Sequence, residues 1–186
     1  MKHILIIMGS VRPVRVGEQI APWIKKVASS VSGLTFEVVD LKDWHLPMDD
    51  EQHKPADQIY TQPHSKAWSE KIKTGDGFIF VTPQYNWGYP AALKNALDHL
   101  YHEWKGKPAA IVTYGHRGGV RAAAQLHEVL QGLHMAPTPT KVALTFSHEM
   151  LDANKLLTDT AGSFAQYEPT ILQAVQELVA EPAAAH

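Results

Sequence analysis

The most constraining feature of the sequence is an apolar run that stops at a proline and opens into an aromatic loop. Residues 78–81 have the continuous apolar character of a strand covered on both faces, as in a parallel sheet. Pro83 cannot donate a backbone hydrogen bond, so strand pairing is expected to end there. Pro90 suits the first turn of a helix, and residues 91–100 follow with apolar side chains at helical spacing. The loop is therefore predicted at the carboxyl end of a strand, where open α/β sheets bind ligands.

This loop combines flat apolar rings with amide groups. Tyr85, Trp87 and Tyr89 offer ring faces, while Gln84 and Asn86 offer hydrogen-bond donors and acceptors. The combination suits a large planar heteroaromatic ligand with a polar edge. Aromatic loops serve subunit interfaces as readily as ligands, so the loop alone leaves both interpretations open.

Length and composition limit the class of protein. A chain of 186 residues with 45% hydrophobic and 19% charged residues can bury a substantial core as one domain, predicted over residues 1–182 with a frayed tail over 183–186. A net charge of -2 gives no indication of a nucleic acid or an anionic membrane as partner. Neither a membrane span nor a signal peptide is apparent, which predicts a cytoplasmic protein. Cysteine is absent, so any redox chemistry must come from a bound cofactor.

A second candidate site follows the first predicted strand, residues 3–8. Residues 9–17 then turn into a helix, and amides at a helix N-terminus favour anions. Ser10 adds a hydroxyl, and Arg12 and Arg15 add two guanidinium groups. These residues predict an anion site, with solvated surface charge as the alternative.

The loop is neither a Walker A loop nor the G-x-G-x-x-G of a dinucleotide fold. Asp40, near the end of the second predicted strand, is therefore not assigned to a ribose. Residues 42–64 contain three prolines and little periodicity, which is typical of a lid or an interface arm.

A third candidate loop, residues 115–119, follows the fourth predicted strand and has three glycines in five positions. These predict a backbone that is closely approached by a ligand, or simply a tight turn. Strands are predicted over 3–8, 35–41, 78–81, 109–114 and 141–146, and the later helices over 65–73, 91–100, 120–133 and around 171–179.

Two other kinds of site find little support. His99, His102 and Glu103 lack the order of a zinc-protease helix, and histidines near a helix C-terminus are stabilised without a metal, so no metal site is predicted. No G-x-S-x-G is present for a serine hydrolase.

Together, the three loops resemble those of the NADPH-dependent FMN reductase family, over nearly the whole chain. The resemblance is carried by residues 9–12, by 83–90 with 93–98, and by 114–119. It is strongest to the NAD(P)H:quinone and azo-reductase branch. The resemblance implies a flavodoxin-like three-layer α/β sandwich, with a five-stranded parallel sheet in the order 2-1-3-4-5 and helices on both faces. It also implies bound FMN and a homodimer or homotetramer formed through the helix after Pro90.

The resemblance assigns roles by position. Many members have serine at the position of Arg15 and glutamate at that of Gln84. Lys94 and Asp98, on the dimerisation helix, are expected to pair across the interface. The FMN phosphate would be held by Ser10, Arg12, Arg15, Val16 and Gly17, the isoalloxazine would be lined by Pro83, Gln84, Tyr85, Asn86 and Trp87, and its pyrimidine end would be closed by Gly115, His116, Gly118 and Gly119.

The implied activity is ping-pong transfer of a hydride from NADPH or NADH to FMN and then to a quinone, azo or flavin acceptor. The acceptor would take the place that the nucleotide leaves. No catalytic side chain is assigned, although His116 and Tyr85 are candidates for tuning the flavin. The alternatives are a flavodoxin-type electron carrier, a flavin-binding regulator without turnover, and a relative that has lost FMN. The net charge does not favour a carrier with an acidic docking face, and the retained loops do not favour loss of FMN.

Overall fold

Five parallel strands form one sheet at the centre of the molecule, a computed structural model that describes residues 1–180. Numbered along the chain, the strands lie in the order 2-1-3-4-5, which confirms the predicted sheet. Residues 181–186, and with them the tail predicted over 183–186, lie outside the described part. The strands are β1 (Lys2–Met8), β2 (Leu34–Asp40), β3 (Gly77–Pro83), β4 (Pro108–Gly115) and β5 (Ala136–Thr145).

Helices cover both faces of the sheet, which confirms the three-layer architecture. The first, fifth and sixth helices pack on the face that carries Ile4 and Ile6, and the other three on the face that carries Leu5 and Ile7. In the described residues, no helix combines the length and apolarity needed to span a membrane. The helices are α1 (Gly17–Ala28), α2 (Pro63–Lys73), α3 (Ala91–Asp98), α4 (Val120–Gly132), α5 (Thr160–Phe164) and α6 (Glu168–Glu177).

The continuous apolar runs belong to the strands that are covered on both sides. Every residue of β3 is buried, and so are the last five residues of β1. A half-exposed strand would alternate, so the runs are explained by helices above and below the sheet. The pairing of β3 ends at Pro83, as predicted.

The last strand is longer than predicted. β5 begins at Ala136, five residues before the predicted start, and contains Pro137 and Pro139. Prolines weaken a strand signal, but an edge strand tolerates them because one side has no partner. The register with β4 is irregular between Ala109 and Ile111, opposite this segment. The short helix α5 was not predicted and begins where the Asp159 carboxylate accepts a hydrogen bond from Gly162.

The segment between β2 and α2, residues 42–62, packs against α2 and α3, and we call it the strap. The ring of Trp44 lies 4.8 Å from that of Trp68 in α2. The Asn95 side chain in α3 donates to the carbonyl oxygens of Leu46 and Pro47, both at 3.1 Å. The strap is thus fastened to the helical layer at Trp44, Leu46 and Pro47.

Candidate functional site

The loops after β1, β3 and β4 meet at the carboxyl edge of the sheet and enclose a crevice of about 450 Å³. This is where parallel topology brings the ends of neighbouring strands together. Eight of the predicted site residues line the crevice: Arg12, Arg15, Val16, Pro83, Gln84, Tyr85, Gly115 and His116. The other six predicted residues do not line it: Ser10, Gly17, Asn86, Trp87, Gly118 and Gly119.

Tyr85 joins the loop after β3 to the loop after β1. The phenol oxygen of Tyr85 lies 2.7 Å from the Ser10 hydroxyl, which is fully buried. On the other side, the guanidinium carbon of Arg12 lies 4.2 Å from the centroid of the Tyr85 ring. A cation over a ring is attracted to its negative face, so Arg12 is held at the crevice by Tyr85.

Arg15 lines the crevice, but its charge is already compensated within the chain. Its side chain is only 3% exposed and contacts the carboxylates of Asp40 at 2.5 Å and Glu18 at 2.8 Å. It also donates to the carbonyl oxygen of Ser10 at 2.6 Å. Asp40, which sequence reasoning left without a role, is therefore the partner that fixes this arginine. Any phosphate contact by Arg15 would share a guanidinium group with three existing partners.

The N-terminus of α1 offers free donors to the crevice. Val16 occupies the position before the helix, and its apolar side chain cannot cap the amides of the first turn. Within residues 1–180, the N–H groups of Val16 and Gly17 donate no hydrogen bond. A side chain on Gly17 would approach the phenol oxygen of Tyr114 to 2.8 Å, so only glycine fits there. Free amides at the start of a 12-residue helix make an anion site.

The aromatic loop contains a tight turn from Tyr85 to Gly88. Their backbones exchange two hydrogen bonds of 2.8 and 2.9 Å, while Asn86 and Trp87 have φ values of 47° and 73°. Such a turn requires positive φ at both central residues, which asparagine tolerates and tryptophan rarely adopts. Trp87 is 64% exposed, and its ring centroid lies 3.5 Å from the Arg121 guanidinium carbon. The turn therefore places Trp87 on α4 and outside the residues that line the crevice.

Gln84 has a structural role that sequence reasoning missed. Its side-chain oxygen accepts from the N–H groups of Arg121 and Ala122 at 3.1 and 3.2 Å. Gly119, which precedes α4, has no side chain to supply this cap. Gln84 thus caps α4 from the neighbouring loop, and a glutamate at this position would offer the same acceptor.

The glycine-rich loop divides into two parts. Gly115 and His116 line the crevice, whereas Gly118 and Gly119 form a turn with φ values of 69° and 78°. A side chain on Gly119 would come within 2.9 Å of Thr113. The tight-turn alternative therefore describes Gly118 and Gly119.

Five lining residues were not predicted as site residues: Val14, Tyr114, Phe146, Leu151 and Lys155. Burial raises the pKa of the Tyr114 phenol, so it stays a neutral hydrogen-bonding group. Phe146 follows β5, and its carbonyl oxygen lies 3.1 Å from Nδ1 of His116. Its position after a strand next to β4 could have identified it as a lining residue from the sequence. Leu151 and Lys155 lie in an aperiodic segment, which gave no such signal.

The chemistry of the crevice suits an anionic aromatic ligand. The lining side chains in the described chain include three cations and no carboxylate. Arg12 and the free amides lie on the first loop, whereas Tyr85, Tyr114 and Phe146 supply rings. Aromatic surface beside an anion site is what a phosphorylated heteroaromatic ligand requires.

Comparisons with known proteins agree with this chemistry. The sequence profile of the family described as NADPH-dependent FMN reductase matches residues 2–149. An NAD(P)H-dependent FMN reductase of Schizosaccharomyces pombe is 52% identical over 150 residues, which cover 80% of this chain and 75% of the relative. A quinone reductase of Pseudomonas putida is 27% identical over 141 residues, covering 73% of this chain and 72% of that protein.

The fold has a solved counterpart in a flavoenzyme NAD(P)H:(acceptor) oxidoreductase from Paracoccus denitrificans. The two structures superpose with a TM-score of 0.70 over 95% of this chain and 98% of the other, at 23% identity. At this identity the likeness establishes the flavodoxin-like fold. The chain therefore belongs to the NADPH-dependent FMN reductase family, as its three loops predicted, and is an oxidoreductase with FMN as its flavin and NAD(P)H as its electron donor.

Proposed function

We propose that the protein binds FMN in the crevice, with the phosphate at the N-terminus of α1, and reduces small acceptors such as quinones, azo compounds or free flavins. The observation that carries the proposal is the pair of amides at Val16 and Gly17, which have no hydrogen-bond partner within residues 1–180 and start α1 at the crevice that Arg12, Val16 and the aromatic loop line. A phosphate would supply the acceptor that these donors lack. When bound, FMN would accept a hydride from NAD(P)H and pass the electrons to the acceptor.

Arg12 and Arg15 have different tasks in this proposal. Arg12 is exposed and lies over the Tyr85 ring, and within residues 1–180 its guanidinium group forms no ion pair, so it is available to a phosphate. Arg15 is bound to Asp40, Glu18 and the carbonyl of Ser10, so it holds the loop in shape. The phosphate contact expected of Arg15 is therefore reassigned to positioning of Ser10 and the amides.

The isoalloxazine would lie against Pro83, Tyr85, Gly115 and His116, which line the crevice beyond the anion site. Gln84 would support this region indirectly, because its side chain is engaged with α4. Asn86 and Trp87 would shape the loop from the turn. His116 and Tyr85 remain the side chains placed to contact the ring edge, and no acid or base is assigned to them.

A ping-pong sequence is part of the proposal. Donor and acceptor must both reach the same flavin, and the three loops form one crevice around it. We infer that the oxidised nucleotide leaves before the acceptor binds. Initial rates at several fixed acceptor concentrations should give parallel double-reciprocal lines, whereas intersecting lines would indicate a ternary complex.

An electron carrier without turnover is the alternative from another class. Absorption spectra separate the two functions when protein loaded with FMN is desalted and treated anaerobically with NADPH or NADH. Retained yellow colour that bleaches with a nicotinamide and returns with a quinone supports the reductase. Colour that neither donor bleaches supports the carrier, and loss of flavin on desalting removes FMN from the crevice.

We also propose assembly into a homodimer or homotetramer through α3. In the isolated chain, Lys94 and Asp98 pair with each other along the helix at 2.5 Å. The expected pairing across an interface would therefore replace this ion pair within α3 with ion pairs between subunits. Sedimentation equilibrium measures the state directly, and a monomer at micromolar concentration would contradict the proposal.

A further inference from the structure

Three potential metal ligands converge where the strap meets α2 and α3. Asp50 lies in the strap, His64 in the first turn of α2, and His99 directly after α3. One nitrogen or oxygen from each lies within 4.8 Å of those of the other two. Nε2 of His64 is 2.8 Å from a carboxylate oxygen of Asp50, and the His64 and His99 rings meet edge-on with centroids 5.9 Å apart.

His99 is the residue that most needs a partner. It is 6% exposed, and its Nδ1 lies 2.8 Å from the carbonyl oxygen of Asn95. A carbonyl only accepts, so Nδ1 carries the proton and Nε2 carries a lone pair. Within residues 1–180, this buried Nε2 has no hydrogen-bond partner. A histidine held by a backbone carbonyl through one nitrogen, with the other free, is the arrangement found in metal ligands.

A small tetrahedral ion would require the three ligand atoms, now within 4.8 Å of one another, to rearrange. Zinc bonds of about 2.0–2.1 Å to nitrogen and oxygen place neighbouring ligand atoms about 3.3 Å apart. The His64–Asp50 pair, now at 2.8 Å, would open by a few tenths of an ångström, and His99 would close inward. Asp50 and His64 have side chains 39% and 23% exposed, so the site can be reached from solvent and leaves a position for water.

We propose that Asp50, His64 and His99 bind a divalent transition metal ion of the zinc class. Two imidazoles and one carboxylate favour zinc over magnesium or calcium, which prefer oxygen ligands only. None of the three residues lines the FMN crevice. The ion would join the strap to two helices, so its role is structural and independent of the proposed reductase activity.

The same region explains why sequence reasoning did not find this site. Of the trio His99, His102 and Glu103, His99 alone belongs to the cluster found among the described residues. Nε2 of His102 lies 3.0 Å from the carbonyl oxygen of Ala56, and Glu103 accepts a hydrogen bond from Ser69 at 2.6 Å. The two partners of His99 lie far upstream in the chain, at a spacing that matches no local metal motif.

The test uses tag-free, full-length protein treated with a chelator and then titrated with Zn²⁺ by calorimetry, with and without FMN. We expect one ion per chain, a higher melting temperature with Zn²⁺, and no comparable effect of Mg²⁺ or Ca²⁺. Titration with Co²⁺ should give the visible absorption of a tetrahedral site with nitrogen and oxygen ligands. The flavin spectrum should not change when the metal binds.

Variants identify the ligands. His64→Asn and Asp50→Asn should each weaken Zn²⁺ binding by about tenfold or more, since even outer-shell partners are worth that much. His99→Gln should do the same, and the two more exposed positions keep the test decisive if that variant fails to fold. The matched control is His53→Asn, an exposed histidine in the same strap, which should leave binding unchanged. Absence of stoichiometric binding, or equal weakening in the control, would overturn the proposal.

Discussion

The hydroxyl of Ser10 lies 2.7 Å from the phenol oxygen of Tyr85, although 75 positions separate the two residues. This contact joins the loop that offers amides to a phosphate with the loop that offers rings to a flavin. Because Ser10 is fully buried and Tyr85 lines the crevice, the contact sets how far apart the two loops lie.

Loss of this bond should weaken FMN binding modestly. Tyr85→Phe keeps the ring under Arg12 but removes the hydrogen bond, and a neutral bond contributes about 0.5–1.5 kcal/mol. We therefore expect the FMN dissociation constant, measured by flavin fluorescence quenching, to rise by about two- to twelvefold. Ser10→Ala removes the same bond from the other side. The double variant should therefore bind FMN as tightly as the single variant with the larger loss of affinity. Additive losses would contradict a shared bond.

Gln84 should matter for stability more than for contact with the flavin. Gln84→Ala removes the acceptor for two amides of α4 and should lower the free energy of unfolding by about 0.5–2 kcal/mol. Gln84→Glu should preserve or raise stability, because a carboxylate near a helix N-terminus is favoured. Urea denaturation of the FMN-free protein measures both, with Gln131→Ala at the exposed far end of α4 as the control. A neutral Gln84→Ala would show that the cap contributes little.

At position 87, we expect the glycine variant to be more stable than the alanine variant, which is the reverse of the usual order. Both Trp87→Ala and Trp87→Gly lose the stack on Arg121, but only glycine adopts a φ of 73° without strain. The glycine variant should therefore be about 1 kcal/mol more stable than the alanine variant. At Ala124, an exposed position inside α4, Ala124→Gly should instead lower stability by about 0.5–1 kcal/mol. Denaturation midpoints test this, and an alanine variant at 87 as stable as the glycine variant would contradict it.

We expect protonation of Glu51 in acid to destabilise the strap. Partial burial opposes ionisation of this carboxyl, but hydrogen bonds from Thr61 and Gln62 outweigh it and lower its pKa to about 2. A lowered folded-state pKa gives stability that is present above the ordinary value of 4.5 and is lost as the pH falls toward 2. The stability difference between the wild type and Glu51→Gln should thus be constant above about pH 5 and vanish near pH 2.

The matched control for that pH profile is Glu70→Gln, which removes an exposed carboxylate of α2 that pairs with Lys73. Its stability difference from the wild type should be small at every pH, because exposed pairs are screened by solvent. A Glu51→Gln profile as flat as that of Glu70→Gln would show that the hydrogen bonds from Thr61 and Gln62 do not favour the ionised form.

The parallel α/β class and the location of the crevice were predictable because both depend on local patterns, whereas the strand order was implied by the family resemblance. Apolar runs that alternate along the chain with segments of helical periodicity indicate a parallel sheet. The carboxyl ends of the strands in such a sheet share one edge. Loops rich in glycine, arginine and aromatic residues after three such runs therefore had to lie close together. The start of β5 was missed because Pro137 and Pro139 obscure the strand pattern.

The roles of individual side chains were less predictable because they depend on partners distant in sequence. Arg15 looked free for a phosphate until the fold brought Asp40 against it. Gln84 was predicted to line the isoalloxazine, and only the fold shows that its side-chain oxygen also accepts from two amides of α4. Lys155 reaches the crevice from a segment without periodicity. Composition identified the loops, but only the tertiary contacts show which side chains are already occupied.

The most direct test of the account is the preference of the protein for FMN over riboflavin, which lacks the phosphate. Arg12→Ala removes a charge-assisted contact worth about 1.5–3 kcal/mol, so FMN affinity should fall by about ten- to a hundredfold. Riboflavin affinity should change little, whereas Lys26→Ala at the exposed far end of α1 should change neither. A loss of FMN preference in Arg12→Ala alone is the predicted result. An unchanged preference would show that the phosphate does not bind beside Arg12.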